Sequence, residues 1–428
     1  MHSFEELALT PKLATALSKG GFDIPTPIQA QAIPIALSGH DIMGLAQTGT
    51  GKTLAFTIPM LDAILQNPSK PAPKTAKALI LAPTRELVNQ IAQTLKTLTQ
   101  QMKIRVTTIF GGTSVSKNLH VLSRGTDILV ATPGRLIDLL ERDGVDLSKI
   151  NHLVLDEADQ MLDIGFIHAL RKIVSYINEE RQSQLFSATM SKQMEQLSRA
   201  YLKNPSKVEV NPPNRTAENI AQSVQFVQKP QKPEALRTIL NAHPKLASLI
   251  FVRTKHGAER LKDSLVADGF KATSVHGNKS QGQRERAIKQ FRAGEMQILV
   301  ATDVAARGID IPLVGLVVNY ELSNVPENYV HRIGRTARAG RSGIAVTLCT
   351  SEEVKQLRAI EKLIKTEIYV DGETPDHMHT LKKEAQHPKS SKPKRRRHRG
   401  ASKSGKSGKF TKAKAPNKRT ARRKKTAA

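Results

Sequence analysis

Short apolar runs alternate with amphipathic stretches along most of the chain. Ala78–Ala82, Ile128–Ala131, His152–Leu155 and Gln184–Phe186 are apolar or nearly so and bounded by polar residues. Runs of this length read as strands buried on both faces of a sheet. Between the first two, Leu87, Ile91, Leu95 and Leu98 recur every three or four residues, the period of one helical face. The polar, turn-forming segment Asn211-Pro212-Pro213-Asn214-Arg215-Thr216 interrupts the pattern. It then resumes with Leu249–Val252, Thr273–Val275, Ile298–Ala301, Leu316–Tyr320 and Ile344–Leu348. Strands alternating with helices predict parallel sheets covered on both faces. The expected organisation is two α/β domains of similar size: residues 1–210, a linker at 211–219, and residues 220–368.

Polar and glycine-containing clusters follow the strand-like runs directly. They are Pro83-Thr84-Arg85, Thr132-Pro133-Gly134-Arg135, Asp156-Glu157, Ser187-Ala188-Thr189 and Thr302-Asp303. Ligands of open α/β sheets bind beyond the carboxyl ends of the strands, so these clusters should converge on one edge of each sheet. If those two edges face each other, the cleft between the domains is the working site.

Charge adds a third region. The 428 residues carry a formal net charge of +28, which points to a polyanionic partner. From Gln386 to the end there are 18 Lys and Arg and no Asp or Glu, against 48 basic and 38 acidic residues elsewhere. A segment so charged and so poor in apolar residues cannot offset its ordering entropy, so 369–428 is expected to be a disordered basic tail. A solubilising tail and a salt-sensitive nucleic-acid tether both fit this composition, the tether better. It lacks the interleaved apolar face of a membrane-surface helix. The only cysteine, Cys349, excludes an intramolecular disulfide framework and sits in a strand pattern that suggests core. No apolar run approaches the roughly 18 residues of a membrane helix, and the acidic N-terminus is unlike a secretory signal. These features predict a soluble protein of the reducing cytoplasm, without membrane association. Trp is absent and aromatics are scarce, which argues against a broad base-stacking platform. His276, His387 and His398 stand without a matching metal-ligand set.

Three constellations carry candidate chemistry. Ala46-Gln47-Thr48-Gly49-Thr50-Gly51-Lys52-Thr53 has the form of a phosphate-binding loop, with Ala46 where the general pattern has Gly. Small residues let backbone N–H groups wrap phosphates, Lys52 offers a cation to the outer phosphates, and the Thr53 hydroxyl can ligate Mg2+. A Gly/Thr-rich turn is the plain alternative. About a hundred residues on, His152–Leu155 ends in Asp156-Glu157. Asp156 can hold Mg2+ through water, and Glu157 can orient and deprotonate an attacking water. In the second half, Arg332, Arg335 and Arg338 are spaced by three. They read as a solvated basic face, a structural anion site, or arginine fingers for phosphoryl transfer.

Taken together, these motifs resemble the DEAD-box RNA helicases of superfamily 2. Asp156-Glu157-Ala158-Asp159 is the motif that names them, and Gly21–Gln29, with Phe4 upstream, is similar to their Q motif. Pro83–Leu87, Gly111-Gly112 and Thr132–Arg135 match first-domain RNA motifs, and Ser187-Ala188-Thr189 matches motif III. Gln281–Arg284, Ala306–Asp310 and His331–Arg338 match the second-domain set, and the likeness runs from about Phe4 to about Ile368. Ala337 departs from the glycine common in the family at that position. Asn319-Tyr320-Glu321 and the basic tail look most like the bacterial RhlE-like subgroup.

The resemblance implies two tandem RecA-like domains that bind ATP and Mg2+ and close on RNA. It implies that Phe22 and Gln29 hold the adenine and that residues Ala46, Gln47, Thr48, Gly49, Thr50, Gly51, Lys52 and Thr53 hold the phosphates. Asp310 would contact the ribose, with Arg335 and Arg338 at the γ-phosphate. Asp159, Ser187, Thr189 and His331 would couple the nucleotide site to RNA. Arg85, Gly112, Thr132, Arg135, Arg284 and Thr302 would touch RNA, mostly at phosphate and sugar, which fixes position without reading sequence. The implied activity is ATP-driven, local unwinding of short duplexes or remodelling of RNA–protein complexes. Ribosome-assembly and RNA-degradation factors are the partners that fit this class. A DNA helicase and a nucleic-acid chaperone with vestigial hydrolysis are the competing readings. The intact Lys52, Asp156, Glu157, Arg335 and Arg338 speak against the second of these.

Overall fold

The structure, a computed structural model, describes residues 2–46, 49–210, 220–306, 314–337 and 342–372. Two seven-stranded parallel sheets form its framework. The first contains β1 (Ile42–Leu45), β2 (Ala76–Leu81), β3 (Val106–Ile109), β4 (Thr126–Ala131), β5 (His152–Leu155), β6 (Gln182–Ser187) and β7 (Ser206–Glu209). Their order across the sheet is β3-β4-β2-β5-β6-β1-β7. The second contains β8 (Ile220–Phe226), β9 (Ser248–Val252), β10 (Ala272–Val275), β11 (Ile298–Thr302), β12 (Leu316–Asn319), β13 (Gly343–Cys349) and β14 (Tyr369–Val370). Their order is β10-β11-β9-β12-β13-β8-β14.

The central strands are continuous apolar runs because each supplies two cores. Ala78 and Ile80 of β2 enter one core, and Leu79 and Leu81 enter the other. Ile128 and Val130 of β4 alternate with Leu129 and Ala131 in the same way. In the second sheet Ile250 and Val252 face one core, Leu249 and Phe251 the opposite one. This is the pattern of a parallel sheet covered by helices on both faces. The helix Arg85–Thr99 buries Leu87, Val88, Ile91, Leu95 and Leu98, and its N-terminus is capped by the Thr84 hydroxyl, which accepts from the Leu87 N–H. The helix Lys52–Gln66, by contrast, is buried on nearly every side, as befits a helix between sheet and outer helices.

All nine expected runs are strands, mostly one or two residues longer than the apolar stretch. One expectation is corrected: Tyr369–Val370, assigned from sequence to the tail, pairs with Ser223–Val224 of β8 as an edge strand. Asp371 extends that attachment, its N–H donating to the Val224 carbonyl (2.9 Å) and its carboxylate accepting from Gln225 (2.8 Å). The expected linker at 211–219 and the basic segment beyond Gly372 lie outside the described residues. Among the described residues no helix is long and apolar enough to cross a membrane.

Candidate functional site

The carboxyl ends of the two sheets supply one cleft. On its first wall the chain leaves β1 and turns through Gly49 and Gly51, with φ of 86° and 92°, into the helix that starts at Lys52. A Cβ on Gly51 would sit 2.4 Å from the Gln29 amide nitrogen, so the close approach as well as the φ requires glycine. Gln29 is buried; its Oε1 accepts from the Thr26 N–H (2.8 Å) and its Nε2 donates to the Gly51 carbonyl (2.9 Å). It therefore ties the segment before it to the loop while keeping one N–H and one lone pair for a ligand. Phe22 is half-buried and lies over Gly20, where a Cβ would come within 2.8 Å of the ring. Lys52 is 5% exposed, and its Nζ has no hydrogen-bond partner among the described residues. Gln47 and Thr48 lie outside the described residues.

Opposite Lys52, β5 delivers three carboxylates in different states. Asp156 and Glu157 are buried, and Asp156 Oδ1 and Glu157 Oε2 have no partner among the described residues. Burial raises the Asp156 carboxyl against the pull of Lys52. Burial also raises Glu157, to about 7, reinforced by Asp156 and opposed by Lys52 and Arg335. Burial would raise Asp159 too, but His331, Lys52 and the Thr189 hydroxyl together hold it below the usual range. Its carboxylate accepts from the Gln160 N–H (3.0 Å), the Ala188 and Thr189 N–H groups (3.0 Å each) and the Thr189 hydroxyl (3.1 Å). His331 Nε2 lies 3.7 Å from the same carboxylate, reaching it from the second domain. The Ser187 hydroxyl donates to the Thr189 carbonyl (2.7 Å) and fixes that turn. All four expected coupling residues thus meet around one carboxylate. Arg335 is buried at the same cleft; Asp310 and Arg338 lie outside the described residues.

A buried ammonium and two buried carboxylate oxygens without partners suit a phosphate-bearing ligand with a divalent cation. No cluster of three or more His, Cys, Asp or Glu among the described residues could hold a metal alone. The donor set therefore fits Mg2+ bound largely through water and phosphate oxygens, as that ion prefers.

Beside this cleft runs a groove of about 400 Å3 lined from both domains. Arg85, Thr132 and Arg135 line it from the first sheet. Gly112, with φ of 83°, lies under Arg85, and a Cβ there would meet its Nη1 at 2.3 Å. Arg135 pairs loosely with Asp138 at 3.6 Å and keeps one buried Nη1 without a partner among the described residues. Thr302 ends β11 and is buried. Arg284, expected to touch RNA, already has partners within the protein. It lies 3.0 Å from the buried Glu86 carboxylate of the first domain and donates to the Ala305 carbonyl (3.4 Å). Ile164, Phe166 and Val304 also line the groove; they carry no charge or motif chemistry, so sequence reasoning passed over them.

The evenly spaced arginines separate into two kinds. Arg332 is 2% exposed and grips the Asp303 carboxylate with two N–H groups (2.6 and 2.8 Å). It also donates to Asn319 Oδ1 (3.0 Å) and the Glu321 carbonyl (2.7 Å) and stacks on Phe251. It is a structural bolt between the β11 tip, with its groove residue Thr302, and the helix Glu327–Ile333 that carries His331. Ala337 has φ of 54°, the conformation that explains why glycine suits this position. Cys349 is buried with its thiol pushed up to about 12 by burial, an inert core residue. His276 hands Nε2 to Glu259 at 2.7 Å and belongs to a local network with Ser274 and Lys279.

Comparison with known proteins agrees with this geometry. Residues 26–197 match the DEAD/DEAH box helicase family, and residues 231–340 match the helicase conserved C-terminal domain. The chain is 40% identical over 363 residues to the DEAD-box ATP-dependent RNA helicase CshA of Bacillus subtilis, covering 85% of this chain and 72% of that protein. It is 44% identical to the ATP-dependent rRNA helicase rrp3 of Aspergillus terreus, over 84% of this chain and 80% of the relative. It is 45% identical to the ATP-dependent RNA helicase DeaD of Mycobacterium tuberculosis, covering 84% of this chain and 63% of that one. A solved structure of S. cerevisiae Dbp5 bound to RNA and ADP BeF3 superposes with a TM-score of 0.77 at 31% identity, covering 90% of this chain and 99% of that one.

Proposed function

The chain belongs to the DEAD-box RNA helicase family, and we propose that it is an RNA-stimulated ATPase that separates short RNA duplexes or remodels RNA–protein complexes. The observation that carries this reading is the junction at Asp159, where one carboxylate meets the Ser187–Thr189 turn of the first domain and His331 of the second. Ligands on either side of that junction would favour the same closed arrangement and so strengthen each other's binding.

In this reading Lys52 binds the outer phosphates of ATP, and Thr53 and Asp156 hold Mg2+ partly through water. The ion would neutralise charge on the phosphate oxygens. Glu157 accepts a proton from the attacking water, which requires its ionised form. Arg335, joined by Arg338, stabilises charge on the transferred group, and Asp310 contacts the ribose. Gln29 offers its remaining N–H and lone pair to the adenine edge, with Phe22 beside it. Arg85, Gly112, Thr132, Arg135 and Thr302 hold the sugar–phosphate chain. Arg284 joins them only by exchanging or sharing its pairing with Glu86, which makes RNA entry and domain closure one event. The domain division at 211–219, the RhlE-like subgroup, a cytoplasmic location and partners in ribosome assembly or RNA degradation belong to the same proposal. The name of the rRNA helicase relative supports the ribosomal part.

The test compares ATP turnover alone, with single-stranded RNA and with the DNA of the same sequence, in the natural protein and in Lys52→Ala. The reading expects stimulation by RNA, little by DNA, and none in the variant. Equal stimulation by DNA would favour a DNA helicase, and RNA binding without turnover a chaperone.

A further inference from the structure

Each sheet has one place where the strand order reverses, and crevices at such places are where open α/β sheets bind ligands. In the first sheet β2 leads onward to β3 on one side and β5 to β6 on the other. Arg85 and Asp156–Glu157 follow those two strands, so the reversal is already used. In the second sheet the reversal lies between β9 and β12. Above it opens a cavity of about 490 Å3, larger than the inter-domain groove and assigned to nothing above.

Its walls are unlike the phosphate track. Lys229 and Arg260 line it, both exposed and with no ion pair or hydrogen bond from their side chains among the described residues. Arg253, at the β9 tip, reaches the Glu321 carboxylate only at 4.0 Å. Tyr320, half-buried, presents a ring and a hydroxyl that has no partner among the described residues; burial and the neighbouring Glu321 push that hydroxyl up to about 12. The wall behind is rigid: Lys232 is buried between Glu353 (2.7 Å) and the Tyr320 carbonyl (2.6 Å), and its ammonium lies 5.6 Å from the centre of the Tyr320 ring. Glu321 accepts the Arg253 N–H (2.7 Å) and retains further lone pairs.

The cavity adjoins the groove. Val252 is paired in register with Thr302, so Arg253 emerges one strand spacing, about 4.8 Å, from the Thr302–Val304 rim. A chain leaving the groove over that rim meets Arg253 next. The groove offers arginines and hydroxyls suited to phosphate. The cavity adds a ring, carboxylate acceptors and a phenol, the groups that stack on a base and read its edge.

We propose that this cavity is a base-binding subsite for single-stranded RNA leaving the inter-domain groove, and that it gives a sequence preference to an otherwise sequence-blind clamp. Tyr320 supplies the stacking face, Glu321 and the Tyr320 hydroxyl face the base edge, and Lys229, Arg253 and Arg260 hold the flanking phosphates. The inference rests on the RNA-helicase reading and extends it.

The test uses the full chain and fluorescent oligonucleotides of A, C or U, six or twelve residues long. A hexamer tests the groove, and a dodecamer also reaches the cavity. Dodecamer affinities should differ among the three bases by at least about threefold, and hexamer affinities should not. Tyr320→Ala should weaken the favoured dodecamer about tenfold, the size of one lost stacking contact, and level the three. Arg260→Ala, a surface change with little risk to folding, should weaken all dodecamers alike and lower the salt slope by about one charge. Hexamer binding should survive both changes. Indistinguishable dodecamers, or unchanged dodecamer binding in Arg260→Ala, would overturn the subsite; the second result would point to a protein segment as the occupant. If no RNA stimulates turnover in the natural protein, the helicase reading falls and the subsite with it.

Discussion

Replacing Glu157 with Gln should move two properties in opposite directions. The carboxyl is 4% exposed, and burial raises it from an ordinary 4.5 to about 7. A carboxyl raised in the folded state binds its proton more tightly there than in the unfolded chain. Its ionisation therefore costs stability progressively between pH 4.5 and 7, and in full above that range. At 1.36 kcal/mol per pH unit, the shift amounts to roughly 3 kcal/mol at pH 8. Gln keeps the shape and removes the charge. Glu157→Gln should thus unfold at higher temperature than the natural protein at pH 8, by as much as about 10 °C for a domain of this size. At pH 5, where the natural carboxyl is already protonated, the two should nearly coincide. Turnover should fall roughly 100- to 10,000-fold, the usual loss with a general base. In the natural protein, RNA-stimulated turnover should itself decline toward a tenfold loss per pH unit well below 7, because only the ionised carboxylate can take the proton. Thermal unfolding and ATP hydrolysis at pH 5 and pH 8, with ATP binding as a control, decide the matter. A stability difference that is the same at both pH values would refute the buried-charge argument. Near-natural turnover in the variant would refute the role.

Three further predictions rest on separate observations. Deleting 386–428 should leave RNA-saturated turnover unchanged while weakening RNA affinity and flattening its salt dependence; identical salt slopes would remove the tail from RNA binding. Gln184→Leu should raise stability by about 1–2 kcal/mol, because the side chain is 1% exposed between its strand partners Ile42 and Val154 and its Oε1 has no partner among the described residues; urea unfolding reads this directly. Arg332→Ala should destabilise the second domain by about 3 kcal/mol or more, because it strands the Asp303 carboxylate, and a melting temperature within a degree of the natural protein would contradict its bolt-like role.

The strands were legible where both faces are buried, because such a run is apolar throughout and needs no partner to be recognised. Four of the five missed strands fail that condition, β8 among them with Ala221, Gln222 and Ser223 exposed or half-exposed; β1, Ile42–Leu45, meets it, but Gly44 interrupts its strand pattern. In β3, Val106-Thr107-Thr108-Ile109 is half polar, and in β7 only Val208 is buried. In β14, two residues pair at a sheet edge. The site was legible where its chemistry is local, as at Lys52 and Asp156–Glu157. It was not legible where a partner comes from far along the chain. Nothing near Arg284 announces Glu86, and nothing near Lys232 announces Glu353. Arg332 and Arg335 look equivalent at a spacing of three, yet only the fold reveals that Asp303 has taken one of them for structure.

Backbone strain is the part of the site that sequence hides most completely. Among the described residues six other than glycine have positive φ. Lys74, Asp143, Asn204 and Lys365 are exposed polar residues at turns or helix ends, where the left-handed region is easily reached. The other two are Glu157 (φ 53°) and Ala337 (φ 54°), one in each domain, beside the residues assigned to nucleotide chemistry. Each such conformation costs on the order of 1 kcal/mol or more, so each persists only because its surroundings fix it. For Glu157 those surroundings are the buried β5 tip and the bonded Asp159 two residues on. A relaxed backbone there would swing the carboxylate away from Lys52. Ala337 lies just past the buried pair Arg335 and Thr336, whose hydroxyl donates to the Val314 carbonyl (2.6 Å). In the proposed reading the strain at each position fixes the charged groups of its own domain at the wall of the cleft, so that little local reorganisation is left for the reacting state.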